Sequence, residues 1–112
     1  MTPDARVERP PRVAVIGAAQ ASESAYVDAQ ALGHALAKLG AVVVCGGYGG
    51  VMEAAARGAA EAGGLTIGIL RGSRGEDANP WIKVPLPTGL GEARNALVVA
   101  GAEAAVSVGG SW

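Results

Sequence analysis

The chain has no phenylalanine, and two tryptophans and two tyrosines supply all of its aromatic surface. Large aliphatic side chains are sparse as well: Val, Ile and Leu together account for 25 of the 112 residues. That length suits a single domain, and this supply gives it a thin core. Cys45 is the single cysteine, so no internal disulfide can form and a reducing cytoplasm is the expected compartment. No apolar run approaches a membrane span, and the start, Met1 to Arg6, has no signal-peptide core. The formal charge is −1 with both signs scattered, which argues against a basic surface for nucleic acid or anionic lipid. Neither nucleic acid nor a membrane is therefore an expected partner, and no cluster of His, Cys and carboxylates predicts a metal. What the chain has in excess is the smallest side chains, 18 Gly and 24 Ala. They follow no collagen period, so each glycine needs its own explanation.

Residues 1–11 hold three prolines and mixed charges with almost nothing to bury, and are read as a flexible leader before a domain over residues 12–112. Arg12 to Gly17 is a short β-branched run ending in glycine, the pattern of a strand buried on both faces. Ser24 to Leu39 carries Val27, Ala31, Leu32, Ala35, Leu36 and Leu39 at helical spacing, and Gly40 stops it. Ala41 to Cys45 repeats the strand pattern, Gly46 to Gly50 forms a loop, and Val51 to Ala62 is helical before Gly63-Gly64. Leu65 to Leu70 is a third strand, followed by a polar, glycine-rich stretch over Arg71 to Pro80 that reads as a mobile surface loop. Trp81 to Leu86 is a short strand confined to an edge by Pro85, and Thr88 is placed to cap a helix over Gly91 to Gly101 with Ala93, Ala96, Leu97 and Ala100 on one face. Ala104 to Val108 is a last strand. The alternation predicts an α/β fold: a Rossmann-like, doubly wound parallel sheet in a three-layer α/β/α arrangement.

Three of these strands end in glycine, at Gly17, at Gly46-Gly47 and at Gly109-Gly110. Ligands of open α/β sheets bind beyond the carboxyl ends of the strands, where glycine lets backbone N–H groups approach an anion. The sharpest segment is Cys45-Gly46-Gly47-Tyr48-Gly49-Gly50-Val51-Met52-Glu53, which runs through four glycines into a helix N-terminus. It is either a phosphate or carboxylate cradle or a tight turn without a ligand. A Walker-type phosphate loop is excluded, because no Gly-Lys-Ser/Thr occurs, and Gly17-Ala18-Ala19-Gln20 lacks the three-glycine dinucleotide fingerprint. Arg94 is the leading polar candidate: either a clamp for phosphate or for charge at a reacting sugar, or a surface arginine paired with Glu92 or Glu103. Asn95 either bonds a ligand or faces water, Glu53 either complements the helix dipole or holds a ribose, and Tyr48 either stacks on a base or is an exposed turn residue. His34 reads as solvated and Cys45 as a small buried hydrophobe.

With these segments in place, the chain from Arg12 to Trp112 resembles the Lonely Guy superfamily, once mislabelled lysine decarboxylase-like, and in particular its bacterial branch similar to the molybdenum-cofactor carrier protein. The carriers are Gly46 to Glu53, Glu61-Ala62-Gly63-Gly64 before Thr66 to Leu70, Pro87 to Asn95, and Val108-Gly109-Gly110-Ser111-Trp112. The resemblance implies cleavage of the N-glycosidic bond of nucleoside 5′-monophosphates, with Arg94 as the catalytic arginine. Gly17, Gly46, Gly47, Tyr48, Gly49, Gly50, Met52, Glu53, Thr88, Asn95, Gly109, Gly110 and Ser111 would then form the phosphate and ribose cradle.

Departures bear on that chemistry. The family's last motif reads Pro-Gly-Gly-x-Gly-Thr-x-x-Glu, whereas Val108 stands in place of the proline and the sequence ends two residues after Gly110, before the partner glutamate. Asn95 stands where hydrolase members carry a basic residue. The expectation is a domain incomplete at its C-terminal end, lacking the final helix and strands and holding half of a catalytic pair. Besides an interaction domain whose open final edge pairs with another chain, two functions stay open: a phosphoribohydrolase, weak or inactive in this form, and a non-catalytic carrier of a phosphorylated ligand. Neither requires a cofactor, and the ligand would be a nucleoside monophosphate or the molybdenum cofactor. An unfinished sheet edge predicts self-association as a homodimer or larger oligomer.

Overall fold

The computed structural model describes residues 8–109. The expected leader lies outside the described residues up to residue 7, as do Gly110 and Ser111. In chain order the elements are β1 (Arg12–Ile16), α1 (Glu23–Lys38), β2 (Val42–Cys45), α2 (Val51–Glu61), β3 (Thr66–Leu70), β4 (Val84–Pro87), α3 (Arg94–Ala100) and β5 (Ala104–Ser107), with 3₁₀ turns at Gly75–Asp77 and Gly91–Ala93. All strand pairs are parallel, in the order β4-β3-β2-β1-β5. The chain steps outward from β1 through β2 and β3 to β4, then returns across the sheet to place β5 on the other side of β1. Right-handed crossovers put α1 and α2 on one face and α3 on the opposite one. The packing agrees: Val15, Val43 and Val51 gather with Ala29, Ala54, Ala55 and Ala59 on the first face, and Ala14, Val42, Val44, Ile69 and Val98 on the second. This is the expected doubly wound α/β architecture.

Local chemistry accounts for the boundaries. Ser22 caps α1 by accepting a hydrogen bond from the Ala25 N–H at 3.2 Å, and Glu23 and Lys38 sit at the ends whose dipole charge they complement. Prolines 85 and 87 both fall in β4, where pairing on one side only tolerates their missing N–H groups. Thr66, fully buried on β3, donates to the Trp81 carbonyl at 2.6 Å and accepts from the Lys83 N–H at 2.8 Å, so that β4 begins later than the apolar run suggested.

Both solvent-facing helices are turned relative to the periodicity. Val27 on α1 and Leu39 at its C-cap are 57% and 81% exposed, Ala31 and Ala35 are exposed too, and the core is met by Tyr26, Ala29, Leu32, Leu36 and Ala37. The axis of contact is Gly33, where a Cβ would strike the Ala55 carbonyl group of α2, and reciprocally Gly58 of α2, where one would strike the Gln30 carbonyl of α1. Two helices in backbone contact set their mutual rotation by their smallest residues. On α3 the expected face of Ala93, Ala96, Leu97 and Ala100 is exposed, and only Arg94 and Val98 are buried. Thr88 does not cap this helix: its hydroxyl donates to the Leu70 carbonyl at 2.7 Å and accepts from the Leu90 N–H at 3.1 Å, closing the turn after β4.

Candidate functional site

At the carboxyl ends of β1, β2 and β5 the outward and return crossovers part, leaving a cleft of about 490 Å³. This is the topological switch point, where open α/β sheets bind ligands. Gly17, Ala18 and Ala19 line it from the turn after β1, Gly46, Tyr48 and Met52 from the turn after β2, and Ser107 from the end of β5. Arg71 leans in from the turn after β3, and Glu92, Arg94, Asn95 and Val98 form the α3 wall.

Arg94 lies at the centre of this arrangement. It is 6% exposed, and its Nε has no hydrogen-bond partner among the described residues. The guanidinium carbon lies 5.6 Å from the centroid of the Tyr48 ring, and the guanidinium occupies the space that a side chain on Gly46 would need. The surface-pair alternative fails, because Glu92 is bridged by Arg71 at 3.4 Å and Glu103 by Arg12 at 3.5 Å. A guanidinium stays charged when buried, and a buried charge is costly until an anion meets it.

The glycine turn is braced from two sides. Gly47 and Gly50 adopt left-handed φ values of +85° and +66°, and Gly50 rests against the Ala18-Ala19 backbone. The Val51 N–H, first of α2, donates to the Ala18 carbonyl at 3.0 Å, so this helix amide is used within the protein. Asn79 donates from its backbone N–H to the Gly47 carbonyl at 2.9 Å and from Nδ2 to the Tyr48 carbonyl at 2.8 Å. The Tyr48 hydroxyl accepts from the Gly72 N–H at 3.1 Å. The stretch from Arg71 to Pro80 is thus tied to the site at both ends, in contrast to the mobile loop its composition suggested.

Of the residues singled out in the sequence, Gly17, Gly46, Tyr48, Met52, Arg94 and Asn95 line the cleft. Gly47, Gly49 and Gly50 do not line it: Gly47 lies against Leu70 and Gly68, and Gly49 and Gly50 against the Ala18-Ala19 backbone. Glu53 accepts a hydrogen bond from the Tyr26 hydroxyl at 2.9 Å on the α1 side, Thr88 serves its turn, and Gly109 is exposed at the end of the described residues. Sequence reasoning missed Arg71, Glu92, the Ala18-Ala19 turn and Ser107. Arg71 carried a usable signal, since it is the first residue beyond a parallel strand.

Cys45 is fully buried beneath the turn, with Sγ donating to the Met52 carbonyl at 3.7 Å. Burial pushes its thiol pKa up from 9.0 to about 11, against smaller opposing contributions from the Gly47 backbone and Arg94. Because the unfolded chain loses this proton first, stability is whole below about pH 9 and falls as pH rises towards 11. Chemical denaturation between pH 8 and 11 should show this decline, and Cys45→Ala should flatten it; an equal decline in both proteins would refute the assignment.

A model of the SLOG cluster4 family matches residues 10–112. Over 102 residues the chain is 40% identical to an uncharacterised protein of Archaeoglobus fulgidus, covering 90% of this chain and 66% of that one. Among solved structures it is similar to the molybdenum cofactor binding protein of the phototrophic bacterium Rippkaea orientalis, at 34% identity and a TM-score of 0.90, covering 95% of this chain and 66% of the other. It is also similar to the molybdenum cofactor carrier protein of Chlamydomonas reinhardtii, at 36% identity and a TM-score of 0.85, covering 92% and 65%. The chain therefore spans just under two thirds of the length of these relatives. Matched over nearly its whole length by that family model, the chain belongs to the SLOG cluster4 family.

Proposed function

We propose that the cleft holds a phosphate-bearing small molecule, with Arg94 meeting the phosphate, and that the protein carries this ligand rather than cleaving it. The observation that carries the reading is that Arg94, buried and with an Nε that has no partner among the described residues, lines a cleft of ligand size. The similarity to proteins that bind or carry the molybdenum cofactor supports that cofactor as the cargo. Cleavage of a nucleoside monophosphate would need a carboxylate positioned at the sugar. Among the described residues lining the cleft the carboxylate is Glu92, which is 74% exposed at the side chain and already engaged by Arg71.

The test uses AMP as a soluble phosphate-bearing probe. At about ten times its Kd, AMP should stabilise the fold by about 1.4 kcal/mol, a rise of about 5 °C in thermal midpoint, while adenosine gives a smaller rise. If neither moves the midpoint of a chain whose circular dichroism shows it folded, the anion-site reading falls. Release of free adenine in proportion to protein concentration would replace the carrier reading by the hydrolase one.

A further inference from the structure

We propose that Arg71 is a second cation of the same cleft, held in reserve by Glu92, and that it makes the site selective for ligands bearing a second anionic group besides the phosphate met by Arg94. This rests on the anion-holding reading of the cleft and adds a selectivity to it.

Three observations converge. Arg71 and Arg94 stand over one ring, their guanidinium carbons 4.9 and 5.6 Å from the Tyr48 centroid, although Arg71 directly follows β3 and Arg94 opens α3 beyond β4. That ring is a fixed platform, since its hydroxyl accepts from Gly72 and its backbone carbonyl from Asn79. The two cations differ in state: Arg94 is buried with no counter-ion among the described residues, whereas Arg71 is 54% exposed and bridges the exposed Glu92 at 3.4 Å. An exposed ion pair of this kind is weak, so a doubly charged ligand can take its place. Glu92 is additionally held by Asn95 Nδ2 at 3.3 Å, which keeps the carboxylate on the α3 wall when Arg71 leaves it. The ligand class is thus a phosphoanhydride, or a phosphate ester with a further acidic group at its other end.

ADP and AMP serve as probes, differing by one phosphate. The wild-type chain should bind ADP about five- to tenfold more tightly than AMP, as expected for one more charge-assisted contact partly screened by water. Arg71→Ala should remove that preference, so that the variant binds ADP no more tightly than it binds AMP. Glu92→Gln, which frees Arg71 from its competing carboxylate, should tighten ADP binding about two- to fivefold. Both side chains are exposed, so the ligand-free thermal midpoints should match the wild type. An ADP preference that survives Arg71→Ala, no preference in the wild type, or weaker ADP binding by Glu92→Gln each overturns the proposal while leaving the Arg94 reading standing. Failure of the wild type to bind either nucleotide overturns both.

Discussion

Replacing Arg94 by methionine is expected to raise the thermal midpoint of the ligand-free protein and to abolish its affinity for phosphate-bearing ligands. The two effects have one cause. Arg94 is nine-tenths buried with an unpartnered Nε, so the empty protein carries the desolvation of a guanidinium without the counter-ion that would offset it. Methionine keeps much of the side-chain length against Met52 and Tyr48 and removes the charge. A gain of about 1 to 2 kcal/mol is expected, or about 4 to 8 °C in a domain of this size. A phosphate deprived of its buried cation should lose at least about a hundredfold in affinity, the scale of two charge-assisted hydrogen bonds. Arg94→Lys separates charge from shape: it keeps the cation but not the planar fork or its stacking on Tyr48, and should fall between the two. Thermal melts with and without AMP read both quantities. A lower ligand-free midpoint together with unchanged AMP affinity would make Arg94 a structural residue and remove the basis of the site.

Arg94 shows how far the sequence could lead. Its place early in a helix, near the glycine turns, identified it as a candidate, yet spacing alone left it equally able to pair with Glu92 or Glu103. The decision lies in three dimensions, where Arg71 and Arg12 occupy those carboxylates. The sheet was legible because Val13 to Ile16 and Val42 to Val44 are short β-branched runs that suit strands flanked on both sides, and because glycine marked where they end. The helix faces were not. Periodicity weighs bulk, and α1 turns Val27, with Leu39 at its C-cap, towards solvent in order to seat Gly33 on α2. On α3 the buried position nearest the cleft is filled by a cation, which a hydrophobicity pattern assigns to the surface. Arg71 escaped notice because its neighbours Gly72, Ser73 and Gly75 gave the segment the composition of a surface loop, while the anchors that fix it, Tyr48 and Asn79, lie 23 and 8 residues away.

The α1–α2 crossing carries the second large effect. Gly33→Ala and Gly58→Ala should each destabilise the protein by about 2 to 4 kcal/mol, lowering the midpoint by roughly 8 to 16 °C, although alanine is the better helix former by about 1 kcal/mol. The new methyl group meets backbone rather than the end of a flexible side chain: the Ala55 carbonyl for Gly33, and the Gln30 carbonyl for Gly58. Neither helix can yield locally, so they must move apart, opening the contacts of Ala29, Ala55 and Ala59 that make up the alanine-rich half of the core. Ala35→Leu on the same helix distinguishes the two descriptions of α1. The spacing of large apolar residues buries Ala35, whereas the fold exposes it, and the substitution should change stability by less than about 0.5 kcal/mol. A neutral Gly33→Ala with a costly Ala35→Leu would show that the helix is rotated to the other face. Displacing α2 also reaches the ligand site. The first residue of α2, Val51, lies where a side chain on Gly17 would have to go, and its N–H is held by the Ala18 carbonyl, so the turns after β1 and β2 are joined through the start of that helix. Loss of AMP affinity in Gly33→Ala and Gly58→Ala, below the melting point of each variant, is therefore expected to accompany the loss of stability, since the cleft keeps its shape only while the two glycines let the helices touch.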